Sequence, residues 1–144
     1  MKIIIAAILF FSLIIQPAYA DDTYAYLDDT SQYIYKLLNL INHYRESKRL
    51  KPLSFDNKLT ILAQNHSADM QRKGVLSHDR FDERFKDSGH NSCVENVAKN
   101  YGAPRELFAA WQNSIGHDKN MLATDIKRAG ISRVGTYVTF FACN

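Results

Sequence analysis

The strongest constraint on this chain stands at its start. Met1 and Lys2 lead into an apolar run from Ile3 to Ile15, broken only by Ser12 and followed by Pro17, Ala18, Tyr19 and Ala20. A basic opening, an apolar stretch and an Ala-x-Ala sequence form the pattern of a cleavable secretory signal peptide, with cleavage expected after Ala20. As a membrane anchor the run falls short of the roughly 20 apolar residues that cross a bilayer. The signal decides two things about the fold. It removes residues 1–20 from it, and it places the remainder in an oxidising compartment, periplasmic or extracellular.

No later segment is long and apolar enough to span a membrane, so residues 21–144 are expected to form one small soluble domain, a monomer. The whole chain carries 18 basic and 15 acidic residues, a net charge of +3; without Lys2 the balance is 17 to 15, or +2, with both signs interspersed. That pattern argues against a nucleic-acid-binding patch.

Both cysteines, Cys93 and Cys143, lie beyond the signal. An exported pair most simply forms one disulfide, two separate buried thiols being the alternative. Their spacing excludes a C-x-x-C redox site.

Hydrophobic periodicity supplies the elements. From Thr30 or Ser31, either a suitable N-cap, the residues Ile34, Leu37, Leu38, Ile41 and Tyr44 recur at helical spacing until Arg45 and Lys48 charge the last turn. Residues 21–33 read as a loosely ordered arm, with Tyr24 and Tyr26 available for contacts. Asp56 can cap a second helix with Leu59, Leu62, Ala63, His66 and Met70 on one stripe, stopped by Gly74. His66 therefore points inward and reads as a satisfied core residue. Ser77 to Asn91 reads as a long loop with one helical turn around Glu83 to Asp87. Val94 to Ala98 suits a strand, and Pro104 opens a third helix that Gly116 should end. Arg128 to Arg133 and Tyr137 to Cys143 are β-rich runs around Gly135, the pattern of a hairpin. Helices first and a sheet last give an α+β domain with helices packed on a mostly antiparallel sheet.

Three places pair a turn residue with a titratable one at an element end: Ser77-His78, Glu95-Asn96 and Gly116-His117. Their flanks resemble the CAP superfamily (cysteine-rich secretory proteins, antigen 5 and pathogenesis-related proteins), in its short bacterial SCP-domain form. Five stretches carry the likeness. Asn42-His43-Tyr44-Arg45 with Leu50-Lys51-Pro52-Leu53 is similar to the family's opening helix. Ala63-Gln64-Asn65-His66-Ser67-Ala68-Asp69-Met70 followed by Ser77-His78 is similar to its second helix and first site histidine. Cys93-Val94-Glu95-Asn96 resembles the Cys-Gly-Glu-Asn segment, with Val94 replacing glycine. Trp111 to Leu122 resembles the bacterial Trp-x-x-Ser-Pro-Gly-His-x-x-Asn-Ile-Leu run, with Ile115 where proline is common. Phe140 to Asn144 resembles the C-terminal signature.

The resemblance implies a three-layer α-β-α sandwich over residues 34–144, with a cleft in which two histidines and two acidic residues converge. His78, Glu95 and His117 match three of those positions. Ser114 stands where many eukaryotic members carry the second acid. Two neutral imidazoles and one carboxylate suit a divalent cation such as zinc, held weakly and with open positions, and Glu95 can instead orient one imidazole from behind. Three functions fit. One is a secreted, non-catalytic binding module that presents the cleft to a lipid, a peptide or a cell-envelope component. A second is a metal-assisted or serine-dependent hydrolase of peptides or esters, with Ser114, His117 and Glu95 as its machinery. The third is a scaffold with a vestigial cleft.

Overall fold

The computed structural model describes residues 22–144. The expected signal peptide and its cleavage site lie outside the described residues, as do the side chains of Tyr24 and Tyr26. Helix α1 spans Asp22–Ser47, so the stretch expected to be an arm up to residue 33 is helical. Its physical reason is plain in the sequence. Neither glycine nor proline interrupts residues 22–47, and the apolar face includes Tyr33, buried one residue before the expected start at Ile34, its hydroxyl donating to Tyr101 O at 3.2 Å.

Helix α1 ends near Arg49, which takes a positive φ of 63°, and the chain returns through Leu53. Asn42 clamps that return from both sides, Nδ2 donating to Leu53 O and Oδ1 accepting from Leu53 N. A two-residue strand β1, Ser54–Phe55, follows, and then α2, Asn57–Lys73. Helix α2 has the expected boundaries: the Asp56 carboxylate accepts from Leu59 N at 3.0 Å, and Gly74 closes it in the left-handed conformation. The segment expected to be a loop with one turn holds a full helix α3, Phe81–Ser88, because Phe81 and Phe85 stack on each other and Phe81 packs edge-on against Phe141. Strand β2 is Cys93–Lys99 and helix α4 is Pro104–Gln112.

The third helix does not run to Gly116. It stops at Asn113, Ser114 is extended (φ −109°, ψ 114°), and a separate helix α5, Ile115–Met121, begins with Gly116 inside it. The break is closed by backbone bonds, Asn113 N donating to Ala109 O and Ser114 N to Trp111 O, while Ser114 O accepts from Asp118 N to open α5. Strands β3, Arg128–Val134, and β4, Tyr137–Cys143, form the expected hairpin, with Gly135 at φ 57° in its two-residue turn.

The sheet order is β1-β3-β4-β2, antiparallel except for the short parallel pair β1 and β3. Every residue of β4 is buried, because both faces of the sheet are covered. Val138, Phe140 and Ala142 pack with Leu37, Ile41, Leu107 and Trp111 of α1 and α4; Phe141 and Cys143 pack with Leu59 and Ala63 of α2. This is the three-layer α-β-α sandwich. The α2 layer sits tightly on β3. A Cβ placed on Gly130 would come within 2.1 Å of Leu59 C and 2.2 Å of Thr60 N, so only glycine allows the two backbones to meet.

Cys93 and Cys143 form a disulfide directly across the β2–β4 register. Arg45, expected as a charged end of α1, is instead 1% exposed. Its guanidinium donates to the carbonyls of Lys51, Met121 and Ala123, so the buried cation ties α1 to the end of α5.

Candidate functional site: a carboxylate shared by two histidines and an arginine

Strand β2 lies at the sheet edge and sends successive side chains to opposite faces. Glu95, opposite Phe141, falls on the α2 face; Asn96, opposite Phe140, falls on the α4 and α5 face. The two halves of the site follow from that alternation.

On the α2 face Glu95 is 4% exposed, a burial that an ionised carboxylate tolerates only when paired and hydrogen-bonded. Arg84, projecting from α3, supplies a two-pronged contact: Nε donates to Oε2 and Nη2 to Oε1, both at 2.8 Å. A third bond, from Arg84 Nη1 to Asp79 O at 2.7 Å, fixes the guanidinium. The Nδ1 of His78 lies 2.9 Å from Glu95 Oε1. Burial alone pushes the Glu95 carboxyl up, but the hydrogen bonds from His78 and Arg84 and the guanidinium charge outweigh it and hold it below the ordinary carboxylate range. An ionised carboxylate only accepts, so the proton in this contact sits on His78 Nδ1 and, in the neutral ring, Nε2 carries the free lone pair.

His66 is the third group around Glu95. Its place inside the core is as expected, but its neighbour is polar: Nε2 donates to Ser77 O at 2.8 Å and lies 3.7 Å from Glu95 Oε1. Burial lowers its affinity for a proton, against the pull of Glu95. By holding the carbonyl of Ser77, His66 positions the residue that precedes His78.

On the other face, Asn96 Nδ2 donates to His117 O at 3.0 Å, and Asn120 Nδ2 donates both to Glu95 O and to Asn96 Oδ1. These bonds lock α5 to β2. The His117 ring stands 6.2 Å from that of Trp111. Burial, and the charge of His78 when protonated, lower its proton affinity.

His78 and Glu95 are thus in direct contact. Glu95 Oε1 accepts from Arg84 and His78 and Oε2 accepts from Arg84, so the carboxylate backs the His78 imidazole from its Nδ1 side. Among the described residues no hydrogen bond joins Ser114 to His117 or His117 to Glu95; Ser114 sits at the extended turn before α5 with its side chain capping nothing. The donor chemistry fits a cation with two imidazole ligands, His78 through Nε2 and His117; among the described residues no group of three or more His, Cys, Asp or Glu is gathered to hold a metal. Sequence reasoning missed Arg84 altogether, and it placed His66 correctly without its role.

Among the described residues, no helix is long and apolar enough to cross a membrane. The uncharacterized protein YkwD of Bacillus subtilis strain 168 is 35% identical over 112 residues, covering 72% of this chain and 43% of its own length. The uncharacterized membrane protein YlbC of the same organism is 29% identical over 136 residues, covering 88% of this chain and 38% of its own. The chain spans about two fifths of the length of these relatives. An extracellular SCP-domain protein of Bacillus anthracis superposes with a TM-score of 0.78 at 21% identity, over 90% of this chain and 45% of that one. A cysteine-rich secretory protein of Staphylococcus aureus Mu50 gives 0.73 at 19% identity, over 79% and 38%. An outer surface protein of Borrelia burgdorferi gives 0.72 at 20%, over 78% and 92%. These likenesses show the fold. The profile of the cysteine-rich secretory protein family, CAP, matches residues 38–144, and the chain belongs to that family.

Proposed function

We propose that the chain is an exported CAP domain that works as a binding module and not as a hydrolase, with a weakly held divalent cation such as zinc between His78 and His117. The observation that carries this reading is the state of Glu95. Its hydrogen bonds run to Arg84 and His78 and, among the described residues, none joins it to His117 or His117 to Ser114, which leaves His117 without a carboxylate to orient it as a base and Ser114 without a base to activate it. What the arrangement does provide is a tautomer-fixed imidazole, the usual role of a carboxylate behind a metal-binding histidine. A bound cation would supply a Lewis-acidic anchor for an oxygen-bearing ligand: a lipid, a peptide or a cell-envelope component. Export is supported by the N-terminal signal pattern, by the disulfide and by the extracellular and outer-surface names of the structural relatives.

Calorimetric titration with zinc at neutral pH tests the reading. Uptake is expected in the native protein, with loss in the His78→Ala/His117→Ala double variant, because ligation needs a neutral imidazole lone pair. Peptide and ester hydrolysis should stay at background in both. Turnover that depends on Ser114 would replace the binding reading with the catalytic one.

A further inference from the structure

A groove of about 360 Å³ runs between α2 and α3. Two of the side chains that surround Glu95 also line it, His66 from α2 and Arg84 from α3, whereas His78, Glu95 and His117 do not. Leu62 and Ala68, both half-buried, give it an apolar wall.

The positive charges of the groove are already committed. Arg84 is bound to Glu95, Arg80 to Glu83, and Arg72 shares Asp69 with Lys73. Acceptors are left over. Asp79 and Asp87 line the groove at the two ends of α3, are exposed, and among the described residues have no cation within ion-pair distance. His66 adds a buried acceptor. The residue is 3% exposed, and its Nε2–H donates to Ser77 O. The neutral ring then carries its lone pair on Nδ1, which has no hydrogen-bond partner among the described residues, so this is what His66 offers to the groove it lines. Carboxylates without an ion-pair partner also occur singly elsewhere, at Glu46 and Glu106. The groove differs from those places in gathering two of them, a buried imidazole lone pair and an apolar wall in one concavity where no cation is uncommitted.

We propose that this groove binds an aliphatic diamine or polyamine, one ammonium held by His66 Nδ1 and Asp79, a second by Asp87, and the methylene chain lying along Leu62 and Ala68. An ammonium has three donors and no acceptor, the complement of what the groove leaves unpaired. Asp79 belongs with His66 because Ser77, two residues before it, is the one His66 holds. Asp79 and Asp87 stand eight residues apart, and a helix advances about 1.5 Å per residue, so one ammonium does not reach both carboxylates, whereas two joined by several methylenes do. A bare metal ion suits the groove less well, since among the described residues no three His, Cys, Asp or Glu are gathered to hold one. Neither His78 nor His117 lines the groove, so it stands whether or not that pair takes a cation.

The test is an NMR titration of the isotope-labelled protein, free of zinc, with cadaverine, and in parallel with n-pentylamine and 1,5-pentanediol, which keep the five-carbon chain and carry one ammonium and none. Cadaverine should shift residues around 62–72 and 79–87 and the Nδ1 nitrogen of His66, pentylamine should bind more weakly, and pentanediol should leave the spectrum unchanged. In the Asp79→Asn/Asp87→Asn variant, isosteric at two exposed positions, cadaverine affinity should fall by about tenfold, two surface charge contacts being removed. A Glu46→Gln/Glu106→Gln control, which removes the same charge elsewhere, should leave it unchanged. No binding of cadaverine, equal binding of pentylamine or pentanediol, binding that leaves the His66 ring unchanged, or equal loss in the charge-matched control overturns the proposal.

Discussion

Replacing Arg84 by alanine isolates what holds the candidate site together. Arg84 is 7% exposed and Glu95 4%, so the substitution removes two 2.8 Å charge-assisted bonds and leaves a carboxylate inside the protein. Breaking a buried ion pair from one side costs about 3–5 kcal/mol. His78 stays as a partner, but its side chain is 52% exposed, which places the expected loss toward the lower end. A domain of this size has about 5–15 kcal/mol in all, so urea denaturation with the disulfide intact will resolve the effect. The pH dependence gives it a signature. In the native protein the Glu95 carboxyl is depressed, so its contribution is fully present above the ordinary glutamate value of about 4.3 and is lost as pH falls through the folded-state value. In Arg84→Ala, burial dominates and the carboxyl moves up, so acid relieves the variant and the gap to the native protein narrows. The paired change Arg84→Met/Glu95→Leu should recover most of the loss. A single-variant loss below about 1 kcal/mol, the level of a surface pair, or a gap that does not change with pH, would refute the argument.

Other consequences are open to the same assays. Gly130→Ala drives a methyl group into the α2 backbone and should cost about 1–3 kcal/mol or more by thermal melting, as overpacking does; a neutral result would mean that α2 can lift from β3 freely. Reducing Cys93–Cys143 reopens a 50-residue separation and should lower stability by about 4 kcal/mol in the chain-entropy account, read from urea midpoints with and without reductant. Acid titration of stability should show two declines. His66 and His117 have lowered folded-state values, so their contribution is present above about pH 6.5 and fades below it, while that of Glu95 fades below about 4.3. A stability profile flat from pH 7 to 5 would contradict the burial of neutral His66.

Much of the fold was legible because its signals are local. Asp56 and Gly74 mark the ends of α2 by backbone chemistry that needs no tertiary partner, and Gly135 marks the hairpin in the same way. The break between α4 and α5 was not legible: Asn113 and Ser114 are weak punctuation beside Gly116, which carries the stronger stop signal and yet sits inside α5. The burial of Tyr33 within α1 was not legible either, because its partner Tyr101 lies far along the chain.

The site divides along the same line. His78, Glu95 and His117 stood out through the motifs around them. Arg84 did not, because an arginine in a polar stretch reads as solvated, and its burial arises only when α3 folds over the edge strand and meets Glu95. His66 was placed in the core by its helical stripe, but its nearness to Glu95 follows from the packing of α2 on the sheet, which no spacing within α2 encodes. The hydrogen bonds around Glu95 depend on Arg84, so missing the one left the surroundings of the other open.

The central claim is that Glu95 fixes His78 with its Nε2 free to bind. Long-range proton–nitrogen NMR of the imidazole rings at neutral pH, before and after adding zinc, measures this directly. The account predicts a His78 ring protonated on Nδ1, and zinc-induced shifts at His78 Nε2 and on the His117 ring. A His78 ring protonated on Nε2, or zinc that leaves both rings unchanged, would contradict it.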